Sequence, residues 1–170
     1  MNIQNRKISI HDVDALIFDF DGVLTNNLVT IDSDGNEFVS CSRADGLAFD
    51  VLRKSNKAVF IVSTEKNKIV QSRADKLNVK CYHGVESKVD VIMNISKENN
   101  YKLSNILYVG NDLNDYKAMK LCGYTACPVD SHDRIKDISL YVLKTRGGMG
   151  IARELVESVF GIDITDILYG

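Results

Sequence analysis

Residues 13–23 read VDALIFDFDGV, an apolar run that ends in two aspartates and a glycine. The run over 13–18 is typical of a strand that a parallel sheet buries on both faces. Residues two apart in a strand point to the same side, so Asp19 and Asp21 are expected to face the crevice where open α/β sheets bind ligands. Gly22 allows a sharp turn beside a ligand. Two close carboxylates favour a shared proton or a bound cation, although an ordinary Asp-Gly turn explains the same residues.

The composition is that of an ordinary globular protein. A chain of 170 residues suits one domain with a full core, which we expect to span 1–170. The formal net charge is -2 and no basic run is present, so no nucleic-acid partner is expected. No apolar stretch has the length of a membrane span. Residues 1–12 read as a loose leader without a signal peptide's apolar centre, which predicts a cytoplasmic protein.

Beyond the first strand, apolar runs alternate with segments of helical periodicity. Strands are predicted at 57–62, 79–83, 105–109, 124–127 and 141–143, and helices at 45–54, 66–77, from 88 onward, at 116–121 and at 151–160. A β-hairpin over 28–40 follows the acidic pair and could form a flap over it. The alternation predicts an α/β fold with a doubly wound, mainly parallel sheet and no cap domain.

Polar residues follow the predicted strands in a consistent way. Ser63 and Thr64 come after the second strand, at the expected start of a helix whose free N–H groups favour an anion. Lys88 begins the third helix, and Asn111, Asp112 and Asp115 follow the fourth strand of the sheet. Because these strand ends meet at one edge, they predict a site for a phosphate and a hard cation such as Mg²⁺. A carboxylate there can attack phosphorus while a second protonates the leaving oxygen.

Together these motifs resemble the haloacid dehalogenase-like phosphatases over residues 14 to about 160. A narrower resemblance rests on DGVLT at 21–25, DGNE at 34–37 and the glycine-rich RGGMG at 146–150. It is to the capless subfamily that dephosphorylates 3-deoxy-octulosonate 8-phosphate and nonulosonate 9-phosphates. The phosphatase-like C-terminal domain of animal acylneuraminate cytidylyltransferases also belongs there. The resemblance implies a homotetramer whose neighbouring subunits cover each active site, with the 146–150 loop near that site.

The resemblance also implies a role for each matching residue. Asp19 would be the nucleophile that forms an aspartyl-phosphate, and Asp21 the general acid and base. Lys88 would pair with the phosphate and with Asp19. Mg²⁺ would be held by Asp19, by the backbone carbonyl of Asp21, and by the loop after the fourth strand. The phosphate and substrate contacts would come from Gly22, Ser63, Thr64, Glu65 and Arg146.

Two departures from the family pattern, and two residues that each have a second interpretation, leave alternatives open. Asn111 stands where the phosphatases usually have a metal-binding Asp, so either Asn111 is a neutral ligand or Asp112 takes over. Thr64-Glu65 replaces the Gly-Arg typical of octulosonate phosphatases, which favours a nonulosonate 9-phosphate as substrate. Asp45 is either a helix cap or a substrate contact, and Arg146 either a surface residue or a partner for the substrate's carboxylate.

Two other functions compete with a phosphatase. Asn111 motivates a catalytically weak, tetramer-forming module of nonulosonate activation. Phosphoryl transfer to an acceptor other than water is disfavoured, because no cap would exclude water from the site.

Overall fold

The structure is a computed structural model that describes residues 8–170. Within these residues the strands are β1 (Ala15–Phe18), β2 (Thr30–Ile31), β3 (Glu37–Phe38), β4 (Ala58–Val62), β5 (Lys80–Tyr82), β6 (Ile106–Val109), β7 (Tyr124–Cys127) and β8 (Tyr141–Val142). The α-helices are α1 (Arg43–Lys54), α2 (Ile69–Leu77), α3 (Lys88–Asn99), α4 (Tyr116–Leu121), α5 (Asp133–Ile138), α6 (Ile151–Glu154) and α7 (Ile164–Tyr169).

Six of the strands form one parallel sheet in the order β5-β4-β1-β6-β7-β8. Every residue of β1 is buried, as the apolar run at 15–18 predicts. The chain fills one half of the sheet from β1 to β5 and then returns to the other side of β1 with β6. The reversal puts a topological switch point between β1 and β6, where the carboxyl ends of strands leave a crevice for ligands. The predicted doubly wound α/β fold is confirmed, and residues 8–170 show no cap domain.

Alternate side chains of the strands supply two hydrophobic cores. Leu16 and Phe18 of β1 lie in the core that also contains apolar residues of α1, α2 and α6. Ala15 and Ile17 lie in the opposite core, with apolar residues of α3, α4 and α5. The central strand is therefore apolar at every position because helices cover both of its faces.

Several predicted boundaries need correction. Of the leader predicted over 1–12, residues 1–7 lie outside the described part of the chain. The remainder is not loose, because Ile8 and Ile10 are buried in the core. A short 3₁₀-helix at Ile10–Asp12, capped by Ser9, leads into β1. The helix predicted from residue 66 begins at Ile69, after three residues of turn. The helix predicted at 151–160 changes to a π-helical turn at Leu155–Val159.

Two short helices were not predicted from the sequence. α5 and α7 each span six residues, too few for a helical repeat of apolar positions to stand out. Among residues 8–170, no helix combines the length and the hydropathy that crossing a membrane requires.

Two glycines, one closely packed and one with open space around it, provide a test of the packing before β7. A Cβ on Gly123, between α4 and β7, would overlap the carbonyl oxygen of Ser104. Gly123→Ala is expected to lower the free energy of unfolding by about 1–3 kcal/mol because backbone must move. Gly46, inside α1, has open space around its Cβ position. As the matched control, Gly46→Ala is expected to raise the free energy of unfolding by about 0.5–1 kcal/mol, because alanine favours a helix. Urea titrations measure the free energy of unfolding of both variants. Equal effects of the two substitutions would contradict this packing.

Candidate active site

Asp19 and Lys88 form a buried ion pair just beyond the carboxyl end of β1. Asp19 follows the last residue of β1, and Lys88 is the first residue of α3. The Lys88 Nζ lies 2.7 Å from Asp19 Oδ1 and 2.7 Å from Asp115 Oδ1. The three side chains are at most 4% exposed. One ammonium therefore serves two carboxylates out of reach of water, as the sequence predicted for Lys88 and Asp19.

Asp115 is the centre of the hydrogen bonds behind this pair. Besides Lys88, its Oδ1 accepts the hydroxyl of Tyr108 at 2.7 Å. Its Oδ2 accepts the backbone N–H of Asn111 at 2.8 Å and that of Asp112 at 3.4 Å. These hydrogen bonds fix the Asp115 side chain and shape the loop after β6. The sequence placed Asp115 at this edge without a role, and the role of Tyr108 was missed. A single tyrosine in a wholly buried strand was the available signal, because its hydroxyl needs a partner.

Burial and mutual repulsion shift the ionisation of this cluster. Burial and the Asp115 carboxylate raise the pKa of Asp19 well above its usual value, against the opposing charge of Lys88. Burial lowers the pKa of Lys88, but the carboxylates of Asp19 and Asp115 outweigh it and raise that pKa overall. The lysine stays charged, and the raised pKa of Asp19 shows that its negative charge is only partly compensated within the cluster. The cluster can therefore accept a further cation near Asp19.

Asp21 lies at the mouth of the site among other acids. Burial, followed by the negative charge of Glu65, raises its pKa, and Glu37 of the hairpin adds a smaller effect in the same direction. A raised pKa favours the protonated carboxyl group, which is the form that donates a proton to a leaving group. The predicted role of Asp21 as an acid and base fits this environment.

The loop after β6 distinguishes between the two metal ligands that the sequence left open. The Asp112 Oδ1 accepts the N–H of Leu113 at 2.7 Å, and its carboxylate caps the 3₁₀-helix at Leu113–Asp115. The Oδ1 of Asn111 is buried and accepts no hydrogen bond within residues 8–170. A Cβ on Gly22 would overlap the amide nitrogen of Asn111, so only glycine allows this side chain its place. An oxygen without a donor, beside Asp19 and Asp21, suits a hard cation.

A cavity of about 290 Å³ opens onto these groups. The residues that line it are Asp19, Asp21, Asn27, Ser63, Thr64, Asn111, Asp112 and Asn114. The structure thus brings together the acid pair, the two hydroxyl residues and the loop after β6, as the strand-end argument predicted. Asn27, at a bend with φ of 63°, and Asn114, in the 3₁₀-helix at Leu113–Asp115, were not singled out in the sequence. The helix N-terminus expected beside Ser63 is not there, since α2 begins six residues later.

Glu65 and Arg146, the two residues proposed for substrate specificity, lie in different positions relative to the cavity. The Glu65 Oε1 accepts the N–H of Asn67 at 2.7 Å, while the amide of Asn67 donates to Glu37 Oε2 at 3.0 Å. Asn67 therefore ties the hairpin to the loop after β4. Arg146 does not line the cavity; its side chain is 74% exposed and pairs with Asp130 at 3.3 Å. Its predicted substrate contact is not seen within one copy of the chain.

The glycine-rich loop packs against the turn that follows the acid pair. The N–H of Gly148 donates to the carbonyl of Val23 at 2.9 Å. A Cβ on Gly147 would overlap the carbonyl oxygen of Gly22. The loop is therefore near the site, as the resemblance implied, but it supports the turn from behind and does not line the cavity.

Asp45 is neither the cap of its own helix nor part of the cavity. Ser42 caps α1, and the Asp45 Oδ1 accepts the N–H groups of Ala152 at 2.8 Å and Arg153 at 3.4 Å. Both readings made from the sequence are thereby corrected, because the helix that Asp45 caps is α6. Burial raises the pKa of Asp45 to about 6.

The predicted hairpin is present as β2 and β3, with an isolated bridge between Thr25 and Cys41 at its base. Four of its apolar side chains are exposed: Leu28 by 70%, Val29 by 50%, Ile31 by 63% and Phe38 by 56%. The hairpin therefore presents a group of apolar side chains that no described residue of the chain covers.

Comparisons with known proteins agree with this site. Residues 48–155 match the family model of the haloacid dehalogenase-like hydrolases. The chain is 29% identical to the 3-deoxy-D-manno-octulosonate 8-phosphate phosphatase KdsC of Salmonella typhi, over 86% of this chain and 78% of that protein. The KdsC of Escherichia coli K12 is 28% identical over the same shares.

Two solved structures have the same fold over nearly the whole chain. A protein from Streptomyces avermitilis, assigned to the HAD family of hydrolases, is 37% identical with a TM-score of 0.91, over 95% of this chain and 92% of that one. The 3-deoxy-D-manno-octulosonate 8-phosphate phosphatase of Moraxella catarrhalis, solved with magnesium, phosphate and KDO, is 25% identical with a TM-score of 0.83. That alignment covers 92% of this chain and 87% of the other.

Proposed function

Because the chain belongs to the haloacid dehalogenase-like hydrolases and is a phosphatase, we propose that it hydrolyses the phosphate ester of a 2-keto-3-deoxy sugar acid. The observation that carries the proposal is the buried ion pair of Asp19 with Lys88. Asp19 also lines one cavity together with Asp21 and Ser63. The family match and the relatives that act on an octulosonate 8-phosphate support the choice of substrate class.

Asp19 attacks phosphorus and forms an aspartyl-phosphate. Its Oδ1 accepts bonds from Lys88 and from the N–H of Phe20 at 2.8 Å, which leaves Oδ2 for the attack. As the bond between phosphorus and the sugar oxygen breaks, Asp21 gives its proton to that oxygen. Asp21 then takes a proton from the water that cleaves the aspartyl-phosphate, which releases phosphate and restores Asp19. Lys88 and the hydroxyl of Ser63 stabilise the negative charge of the transferring group.

Mg²⁺ is the cofactor that the residues present would suit. Asp19, the backbone carbonyl of Asp21 and the amide oxygen of Asn111 would hold it, while Asp112 is engaged as a helix cap. When bound, the ion neutralises charge on the phosphoryl oxygens. The Mg²⁺ bound in the Moraxella catarrhalis relative supports this choice.

We favour a nonulosonate 9-phosphate over an octulosonate 8-phosphate as the substrate. Thr64 lines the cavity, and Glu65 lies close enough to Asp21 to affect its charge. The described residues that line the cavity include no arginine or lysine. The substrate's carboxylate therefore needs a cation from outside this lining, and Arg146 of a neighbouring subunit is our candidate.

We also propose that the protein is a cytoplasmic homotetramer, in which the exposed hairpin side chains pack against a neighbouring copy. The double substitution Ile31→Ser with Phe38→Ser is expected to reduce the mass measured by light scattering from that of a tetramer. Asp34→Ser in the hairpin turn is the matched control and should leave the mass unchanged. A wild-type protein that is monomeric at micromolar concentration contradicts the proposal.

The proposed reaction is tested by phosphate release from a panel of substrates with and without Mg²⁺. Nonulosonate 9-phosphates, octulosonate 8-phosphate and an aryl phosphate form the panel. Wild type is expected to be active only with Mg²⁺, and Asp19→Asn to lose activity by about 10⁴-fold or more because the nucleophile is gone. Asp50→Asn, on the exposed side of α1, is the control and should retain full activity.

Silence of the wild type on every substrate would contradict the phosphatase and favour the second candidate function. The neutral Asn111 is the observation behind that candidate, a tetramer-forming module with negligible turnover.

The metal ligand is tested by two substitutions at neighbouring positions. Asn111→Asp adds a charged oxygen to the site and is expected to tighten Mg²⁺ binding, measured by calorimetry, by about tenfold. Asp112→Asn changes the charge by the same amount but keeps the capping oxygen, so its effect should stay within about twofold. A large loss of affinity in Asp112→Asn alone would make Asp112 the ligand.

A further inference from the structure

The Asp45 carboxylate is 1% exposed and takes no part in the chemistry described above. We propose that Asp45 is a positioning residue, which holds the start of α6, and through it the 147–150 loop, against the turn that carries Asp21. The effect of Asp45 on catalysis rests on the proposed function, whereas its effect on the position of the turn is independent of that function.

The first link joins α1 to α6. α6 begins after Gly150, whose φ of 108° and missing side chain leave the first N–H groups of the helix without a local cap. Asp45 provides the missing acceptor from 107 residues away, at 2.8 Å from the N–H of Ala152. A carboxylate at a helix N-terminus both accepts these N–H groups and meets the positive end of the helix dipole.

The second link joins the loop to the catalytic turn. The residues directly before α6 press against 22–25, with Gly148 bonded to the Val23 carbonyl and Gly147 lying on the Gly22 carbonyl. The turn is closed in addition by the N–H of Gly22, which donates to Thr25 Oγ1 at 3.2 Å. Asp45 therefore acts on the turn through one continuous run of backbone.

The cost of burying Asp45 favours positioning over stabilisation. Its Oδ2 is buried and accepts no bond within residues 8–170. The positive charge of Arg73 lowers the pKa of Asp45 only slightly against the effect of burial, and the thiol of Cys41 is a further titratable group near it. The Asp45 pKa of about 6 lies above the usual value because burial penalises the charge. With a raised folded-state pKa, its contribution to stability is present at acid pH and is lost as the pH rises through 6. At neutral pH the ionisation of Asp45 removes part of that stability, so stability alone does not explain a carboxylate at this position.

Amide hydrogen exchange tests the inference directly. Asp45→Ala is expected to speed exchange in the peptide over 19–27 by about tenfold while exchange in α3 is unchanged. Asp45→Asn keeps an acceptor oxygen and should restore protection to within about threefold of wild type. Asp50→Ala, on the same helix, is the control and should match wild type.

A kinetic measurement separates positioning from simple packing. With an aryl phosphate, kcat of Asp45→Ala is expected to fall about fivefold, with KM within about twofold of wild type, because the acid is misplaced. Calorimetry should also show Mg²⁺ binding weakened by about threefold, through the displaced Asp21 carbonyl. Asp45→Asn should recover both values.

Three results would overturn the inference. One is unchanged exchange over 19–27 in a folded Asp45→Ala protein, and another is faster exchange that is equal over 19–27 and α3. If Asp45→Ala does not fold, Gly148→Ala takes its place, because it disturbs the same loop at its contact with the turn. This variant is expected to show faster exchange over 19–27, and unchanged exchange there is the third result. A wild type without phosphatase activity would reject the proposed function and leave hydrogen exchange to decide the role of Asp45.

Discussion

One buried ammonium between two buried carboxylates organises this molecule. Lys88 lies 2.7 Å from both Asp19 and Asp115, and removing one member of such a group leaves an uncompensated charge that costs roughly 3–5 kcal/mol. The cluster joins β1, α3 and the loop after β6 at the switch point of the sheet. The charge of Asp19, our proposed nucleophile, is only partly compensated within the cluster, so this edge of the sheet can accept a cation. The stability of the sheet edge and the chemistry of the site therefore depend on the same three side chains.

The backbone segments around the cluster are closely packed against one another. Gly22 leaves room for Asn111, and Gly147 and Gly148 leave room for the turn at 22–25. Close approach of three backbone segments permits no side chain at these positions. Asn67 and the hairpin acid Glu37 then fix the loop after β4 in front of the site. A small site without a cap is thus backed by glycines, and the loop after β4 beside it is bonded to a hairpin with an exposed apolar face.

Much of the site was predictable because strand ends obey a simple rule. Asp19, Asp21, Ser63 and Asn111 each follow an apolar strand, and parallel strands bring those positions to one edge. Lys88 was predictable from its place at the start of a helix. Tyr108 and Asp115 were not assigned roles, since their bonds join residues of different elements. Asp45 was misread for the same reason, because its partner N–H groups are 107 residues away.

The sequence by itself determined the doubly wound sheet, its strand segments, the hairpin and the residues at the strand ends. These follow from local periodicity and from the alternation of strands and helices, which depend on neighbours in the chain. Only the tertiary structure decided which helix Asp45 caps, which oxygen after β6 lacks a donor, and where α2 begins. Those outcomes depend on burial and on hydrogen-bond partners distant in sequence, and no pattern of neighbouring residues encodes them.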